Sequence, residues 1–185
     1  MHKLIKFNII PFRNTRLAKL DDPNGPYSAL VLAVAGLKRL EMSHRISQIF
    51  LPNIMLHAVG QGALAVECRV DDKQIIELLS VLEDKDTRLR CSAERSLLCI
   101  LEGGCSVPIG VNTEIIETQN GFRELKLIGL IAKLDGSKII KAEAQKSIED
   151  GIEVANELGR EVARMLIEKG ANNILEELKN SRHVD

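Results

Sequence analysis

Tryptophan is absent from this 185-residue chain, tyrosine occurs once and phenylalanine four times. So few rings leave little material for stacking single-stranded nucleic acid. Neither sign of charge is in excess: 25 Lys+Arg stand against 26 Asp+Glu, a formal net charge of −1. A balanced chain is no general polyanion binder, so any basic site has to be a local cluster. No apolar run approaches the roughly 20 residues that cross a bilayer. The N-terminal MHKLIKFNIIPFRNTR is broken by Lys6 and Asn8 and its apolar piece ends at Pro11, a poor signal peptide. Cysteine is sparse, with Cys68, Cys91, Cys99 and Cys105 spaced by 23, 8 and 6 residues. Without a C-x-x-C there is no zinc-ribbon or thioredoxin-like pattern. Count alone does not exclude disulfides, but a chain of this length with a good core does not need them. A reduced, cytoplasmic protein is expected.

What is present is ordinary for a soluble globular protein: 45% apolar and 28% charged residues. The length suits one domain of average size, or one and a half smaller ones. Lys6 to Ile10 reads as a short strand, and Arg13 to Leu20 carries helical spacing with Asn14 or Thr15 as N-cap. DDPNGP, Asp21 to Pro26, is a turn cluster. Tyr27 to Ala35 is a continuous apolar run, the signature of a strand buried on both faces, and Gly36 with LKRL suggests a short helix after it. A second strand is predicted over Ala63 to Val70, after a glycine-bearing turn. Asp71 and Asp72 then open a helix with Ile75, Ile76, Leu79 and Leu82 on one side.

From Asp86 onward the pattern is sharper. Leu89, Ala93, Leu97 and Leu101 recur every four residues, predicting a helix to Leu101 that stops at Gly103-Gly104. The charged residues of that stretch, including Arg90 and Glu94, fall mostly off the apolar stripe. Val107 to Glu117, Arg123 to Leu134 and Ser137 to Ser147 read as strands joined by the turns QNG and DGS. A helix over Ile152 to Lys169 carries Ala155, Leu158, Val162 and Leu166 as its stripe, with Asp150 as candidate cap and Gly170 as stop. A last short helix is predicted near Asn173 to Leu178. The fold class is therefore α+β: a three-stranded antiparallel sheet with helices on one face, preceded by partial α/β segments.

Chemistry is most legible in ERSLLCILEGGCSVPIG, Glu94 to Gly110. A helix ends, two glycines without Cβ admit a bulky group, and Cys105 is presented before a strand. That arrangement suits a covalent attachment point. The competing reading is a small buried residue after a common turn, and it is the reading taken for Cys68, Cys91 and Cys99. In GQG, Gly60 to Gly62, the glycines read as a tight strand entry, and Gln61 is open as a hydrogen-bond donor to a carboxylate. His2, His44, His57 and His183 show no spacing for a metal or a catalytic pair, and no metal site is assigned.

The same segment resembles the cofactor-attachment sequence of the porphobilinogen deaminase (hydroxymethylbilane synthase) family. AVGQGALAVECR (Ala58 to Arg69), YSALVLAVAGLKRL (Tyr27 to Leu40) and ELGREVARMLIEKGANNIL (Glu157 to Leu175) resemble further family segments, in the family's order. The resemblance implies a transferase of porphyrin and haem biosynthesis. Such an enzyme joins four porphobilinogen molecules head to tail, releasing ammonia, to make the linear tetrapyrrole hydroxymethylbilane. It implies a dipyrromethane cofactor held by a thioether to Cys105. It also implies that Arg13, Arg16 and Arg39 bind the acetate and propionate arms, a guanidinium forking onto each carboxylate. For each arginine a solvated surface charge is the competing reading.

The family architecture is three domains, the first two resembling periplasmic binding lobes. By that resemblance residues 1–53 are part of the second domain, residues 54–71 a strand segment of the first, and residues 72–185 the C-terminal cofactor-attachment domain. A truncated chain is expected. The family segment bearing a charge-stabilising aspartate, a lysine and two adjacent arginines has no counterpart here, so no catalytic residue is assigned. FRNTRL, Phe12 to Leu17, is also shorter than the family pattern FRGNxNTRL. Porphobilinogen is the expected small-molecule partner of a monomer that engages neither nucleic acid nor membrane. A non-catalytic remnant or binding module is the alternative.

Overall fold

The computed structural model describes residues 13–101, 107–149 and 151–181. The predicted strand at 6–10 and the candidate cap Asp150 lie outside them. The chain divides into two compact units, residues 1–49 and 50–185.

In the first unit, helix α1 spans Arg13–Asp21 and helix α2 spans Val34–Arg39. Asn14 and Thr15 fall inside α1 and not ahead of it, so neither is its N-cap. The DDPNGP cluster turns as expected: Gly25 N–H donates to Asp22 O at 2.9 Å, and Asn24 N–H to Asp22 Oδ1 at 2.9 Å. Arg45 closes back on Asp21 at 2.5 Å. Residues 27–33 form neither strand nor helix, and α2 begins within the apolar run read as a strand. A strand exists only against a ladder partner, and among the described residues none pairs with this one. Gly36 and Leu37 are the buried residues of α2.

In the second unit, helix α3 (Lys73–Ser80) and helix α4 (Lys85–Ile100) are opened by aspartate caps. Asp72 accepts from Ile75 N–H at 3.1 Å and Asp84 from Thr87 N–H at 2.8 Å, satisfying donors that a helix start leaves unpaired. Strands β1 (Ile109–Glu117), β2 (Arg123–Ala132) and β3 (Ile139–Ser147) follow, then helices α5 (Ile152–Glu168) and α6 (Ala171–Ser181). The sheet is antiparallel in the order β1-β2-β3. Gly121 and Gly136 take φ of +79° and +73° in the two connections, where glycine carries no steric penalty.

Register decides which face is buried. Val111, Gly129 and Ala142 are aligned across the sheet, as are Thr113, Leu127 and Ala144. This face meets α4 and α5. A Cβ on Gly129 would lie 2.7 Å from Leu97 Cδ1 and 3.0 Å from Val162 Cγ1, so the glycine lets both helices sit down on the strand. Between the helices themselves, a Cβ on Gly159 would lie 2.2 Å from the Ala93 carbonyl oxygen. The close crossing is tied by Ser96 Oγ donating to Asn156 O at 2.7 Å. Leu97, Leu125, Leu127, Leu158, Val162 and Leu166 are wholly buried, each contributing roughly 1.5–3 kcal/mol on leaving water. The α+β class with helices on one face of a three-stranded sheet is thus observed.

Two expectations about packing differ from the structure. Residues 63–69 carry no strand, and every residue from Ala63 to Val70 is exposed. In α3 no residue is buried, although its apolar side chains have helical spacing. In both cases the sequence pattern is real, but the described residues supply nothing for it to pack against.

Candidate functional site

The predicted attachment loop lies between two anchored ends. Leu101, just past α4, is 1% exposed and its N–H bonds Leu97 O at 3.2 Å, while Val107 packs against the core ahead of β1. Gly103, Gly104 and Cys105 fall in residues 102–106, outside the described residues. The helix and strand flanking the loop are those the sequence predicts.

Of the predicted arginines, Arg13 is the first residue of α1, and its side chain lies outside the described residues. Arg16 is half-buried on α1, and Arg39 is exposed at the last position of α2, next to Lys38. Arg16 and Arg39 belong to the same compact unit. Their chemistry fits the carboxylate arms of a dipyrromethane: a planar donor fork matches a carboxylate with two charge-assisted bonds. Outside the loop, Cys91 is a poor competitor for such chemistry. Burial, reinforced by the negative charge of Glu94, pushes the Cys91 thiol above its ordinary value, which keeps it protonated and weakly nucleophilic. Cys68 and Cys99 are exposed and Cys91 is half-buried, so none of the three is the core residue expected from the sequence.

The GQG turn proves more structured than its sequence suggested. Gly60 and Gly62 take φ of +67° and +88°, the left-handed region that glycine enters freely. The bend is held by Gln61 N–H donating to Ala58 O at 3.0 Å and Ala63 N–H to Gly60 O at 3.2 Å. Just before it, His57 exchanges two backbone bonds with Val111, at 3.1 and 2.8 Å. The turn is therefore a tight bend as read, but it leads into the exposed residues 63–70 and not into a buried strand.

Glu94 is the residue that sequence reasoning missed. It is 3% exposed on α4, and its carboxylate accepts Gly60 N–H at 2.8 Å and Thr113 Oγ1–H at 2.6 Å. Arg90 Nε donates to the same Thr113 Oγ1 at 3.1 Å. One buried carboxylate thus ties the GQG turn, α4 and β1 together. The available signal was its place beside Ala93, on the edge of the apolar stripe. A cavity of about 260 Å3 opens at this junction, bordered by His57, Gly60, Gln61, Arg90, Cys91 and Glu94. A larger one, about 560 Å3, lies beside the first turns of α4, around Leu89, Phe122 and Ile152, and holds none of the predicted site residues. Among the described residues no group of three or more His, Cys, Asp or Glu is placed to hold a metal. No helix among them is long and apolar enough to cross a membrane.

Comparison with known proteins matches both parts of the chain. Residues 4–77 match the family model described as porphobilinogen deaminase, dipyromethane cofactor binding domain, and residues 88–168 match porphobilinogen deaminase, C-terminal domain. These matches define a class, a protein in which a cofactor-binding domain is followed by a separate C-terminal domain. More particularly, the chain belongs to the porphobilinogen deaminase family. It is 48% identical over 176 residues to the porphobilinogen deaminase of Prochlorococcus marinus strain AS9601, covering 95% of this chain and 51% of that protein. Identity to the porphobilinogen deaminase of Nostoc sp. strain PCC 7120 is 51% over 162 residues, covering 88% and 47%. To that of Schizosaccharomyces pombe strain 972 it is 44% over 167 residues, covering 90% and 49%. The chain spans about half the length of the curated relatives it matches.

Proposed function

We propose that this chain is the acceptor-tethering part of a porphobilinogen deaminase, a cytoplasmic transferase of tetrapyrrole synthesis. In this reading porphobilinogen units are condensed head to tail into hydroxymethylbilane with loss of ammonia. The observation that carries it is the ordered pair of family matches, a cofactor-binding domain followed by the C-terminal domain, along one chain. Cys105 holds a dipyrromethane through a thioether, and Arg13, Arg16 and Arg39 hold its carboxylate arms. The bound dipyrromethane supplies the primer on which the product grows. The chain's own contribution is positional. The packed α4–β1 junction anchors both ends of the cysteine loop, and Glu94 fixes the neighbouring GQG turn against it.

The test is intact mass after incubation with preformed hydroxymethylbilane. A covalent oligopyrrole adduct is expected on the native chain and none on Cys105→Ser. An unmodified native chain, or an adduct that persists in Cys105→Ser, overturns the assignment. Arg39→Leu is expected to weaken retention of the carboxylate arms by on the order of tenfold, the loss of one charge-assisted hydrogen-bonded pair.

A further inference from the structure

The cavity of about 560 Å3 takes no part in the proposed chemistry, and three segments build it: the start of α4, the turn between β1 and β2, and the link from β3 to α5. Its apolar lining is Leu89, Phe122, Ile148 and Ile152. Ile148 belongs to the core and Leu89 packs against it, whereas Phe122 is 54% exposed and Ile152 38%. A chain with four phenylalanines and no tryptophan thus places one of its few large rings in solvent, at the wall of a cavity. The walls are already held in place. Phe122 O accepts from Thr118 N–H at 2.8 Å and from Thr118 Oγ1–H at 3.0 Å. Ile148 N–H donates to Arg123 O at 3.1 Å, and Gly151 N–H donates to Ile148 O at 3.1 Å. The volume is that of a small-molecule site, and a preformed site loses little binding free energy to its own ordering.

The rim decides the charge of the occupant. It carries three cations, Lys85, Arg88 and Arg123, and three anions, Glu83, Asp86 and Glu149. Four of the six neutralise one another: Arg88 pairs with Glu83 at 2.7 Å and Arg123 with Asp86 at 2.6 Å. The remaining two are opposite in sign. No net charge is left to offset the desolvation of an ionic ligand over an apolar floor. The exposed ring of Phe122 and the guanidinium of Arg123, pinned by Asp86, favour a π face over a saturated one. We propose that this cavity binds an uncharged aromatic small molecule. The inference rests neither on Cys105 nor on the arginines of the first unit, so its test reads binding and not turnover.

The uncharged probe N-phenyl-1-naphthylamine is titrated into the 185-residue chain and followed by its fluorescence and by amide chemical shifts. Saturable binding is expected, with shifts concentrated at Gly121, Arg123 and Gly151. Ile152→Asp is expected to weaken binding about tenfold or more by putting a charge into the apolar lining. Phe122→Ala is expected to weaken it about threefold to tenfold. Neither side chain is buried, so the melting temperature of both variants stays at the native value. Leu64→Asp, Val66→Asp, on the exposed segment 63–70, leaves the affinity unchanged. Absence of saturable binding overturns the proposal, as do shifts that fall on residues 63–70 or α3, or an affinity that survives Ile152→Asp. The sulfonated analogue 1-anilinonaphthalene-8-sulfonate is expected to bind about tenfold more weakly, and equal or tighter binding overturns the uncharged class. p-Cresol is expected to displace the probe about threefold better than 4-methylcyclohexanol, the same skeleton without a π face, and equal displacement overturns the aromatic class.

Discussion

Helices α3 and α5 carry the same kind of pattern and meet opposite fates. Each has apolar residues recurring at helical spacing along one side. In α5, Ala155, Leu158, Gly159, Val162, Ala163 and Leu166 are buried; in α3 nothing is. The difference is not in propensity or capping, since α3 has a well-made aspartate cap and α5 begins at Gly151 with no side-chain cap. It is that α5 has α4 and a sheet to lie on. Amphipathicity gives a helix a face, and only the surrounding chain gives that face a partner.

The contrast can be sharpened by substitution, beginning where the packing is closest. Gly159→Val puts carbon where the Ala93 carbonyl stands, and urea denaturation should show a loss of about 3 kcal/mol or more. A mild effect would mean that α4 and α5 separate easily. Leu97→Ala removes a wholly buried side chain at the meeting of α4, α5 and β2, with an expected loss of roughly 2–4 kcal/mol. Glu94→Ala leaves the Thr113 hydroxyl and the Gly60 N–H without their acceptor. It should cost about 1–3 kcal/mol and speed amide exchange at Gly60 specifically, a local signature that general destabilisation does not produce.

Acid should weaken the same module gently. The Thr87 hydrogen bonds hold Asp84 below the ordinary carboxylate range, the Ser137 hydrogen bonds do so for Asp135, and Arg160 for Glu153 and Glu157. Lowered folded values mean that this stabilisation is complete above the unfolded carboxylate range, near 4, and is lost as pH falls through the lower folded values. Asp84, Asp135 and Glu153 are exposed and Glu157 is half-buried, so melting temperature should decline only slightly over that window. The smallest effect belongs to α3: Leu78→Lys should change the stability of the lone chain by no more than about 0.5 kcal/mol. A loss as large as that of Leu97→Ala would show that α3 is packed after all.

Much of the C-terminal module was legible before any coordinates. The period of four in Leu89, Ala93, Leu97 and Leu101 gave α4, and QNG and DGS gave two hairpin connections with Gly121 and Gly136 in the left-handed region. Two strand readings failed for one shared reason. Tyr27 to Ala35 and Ala63 to Val70 have strand composition, but pairing is a property of two segments and the described residues supply only one. Glu94 was passed over because a carboxylate at the edge of a stripe looks like a solvated charge until its partners are seen. Gly60 is 34 residues from it and Thr113 is 19, separations that no local pattern reveals.

By itself the amino-acid sequence determined the family, the order of helices and strands after residue 72, and the cysteine on which the proposed chemistry rests. These are local matters, written in periodicity, turn residues and short motifs. Tertiary structure alone decided which amphipathic faces are covered, that α4 and α5 touch at Gly159 and both rest on β2 at Gly129, and that one buried carboxylate joins a glycine turn to the sheet. Those outcomes depend on groups distant along the chain meeting at a few ångströms, where burial, steric exclusion and hydrogen bonding act.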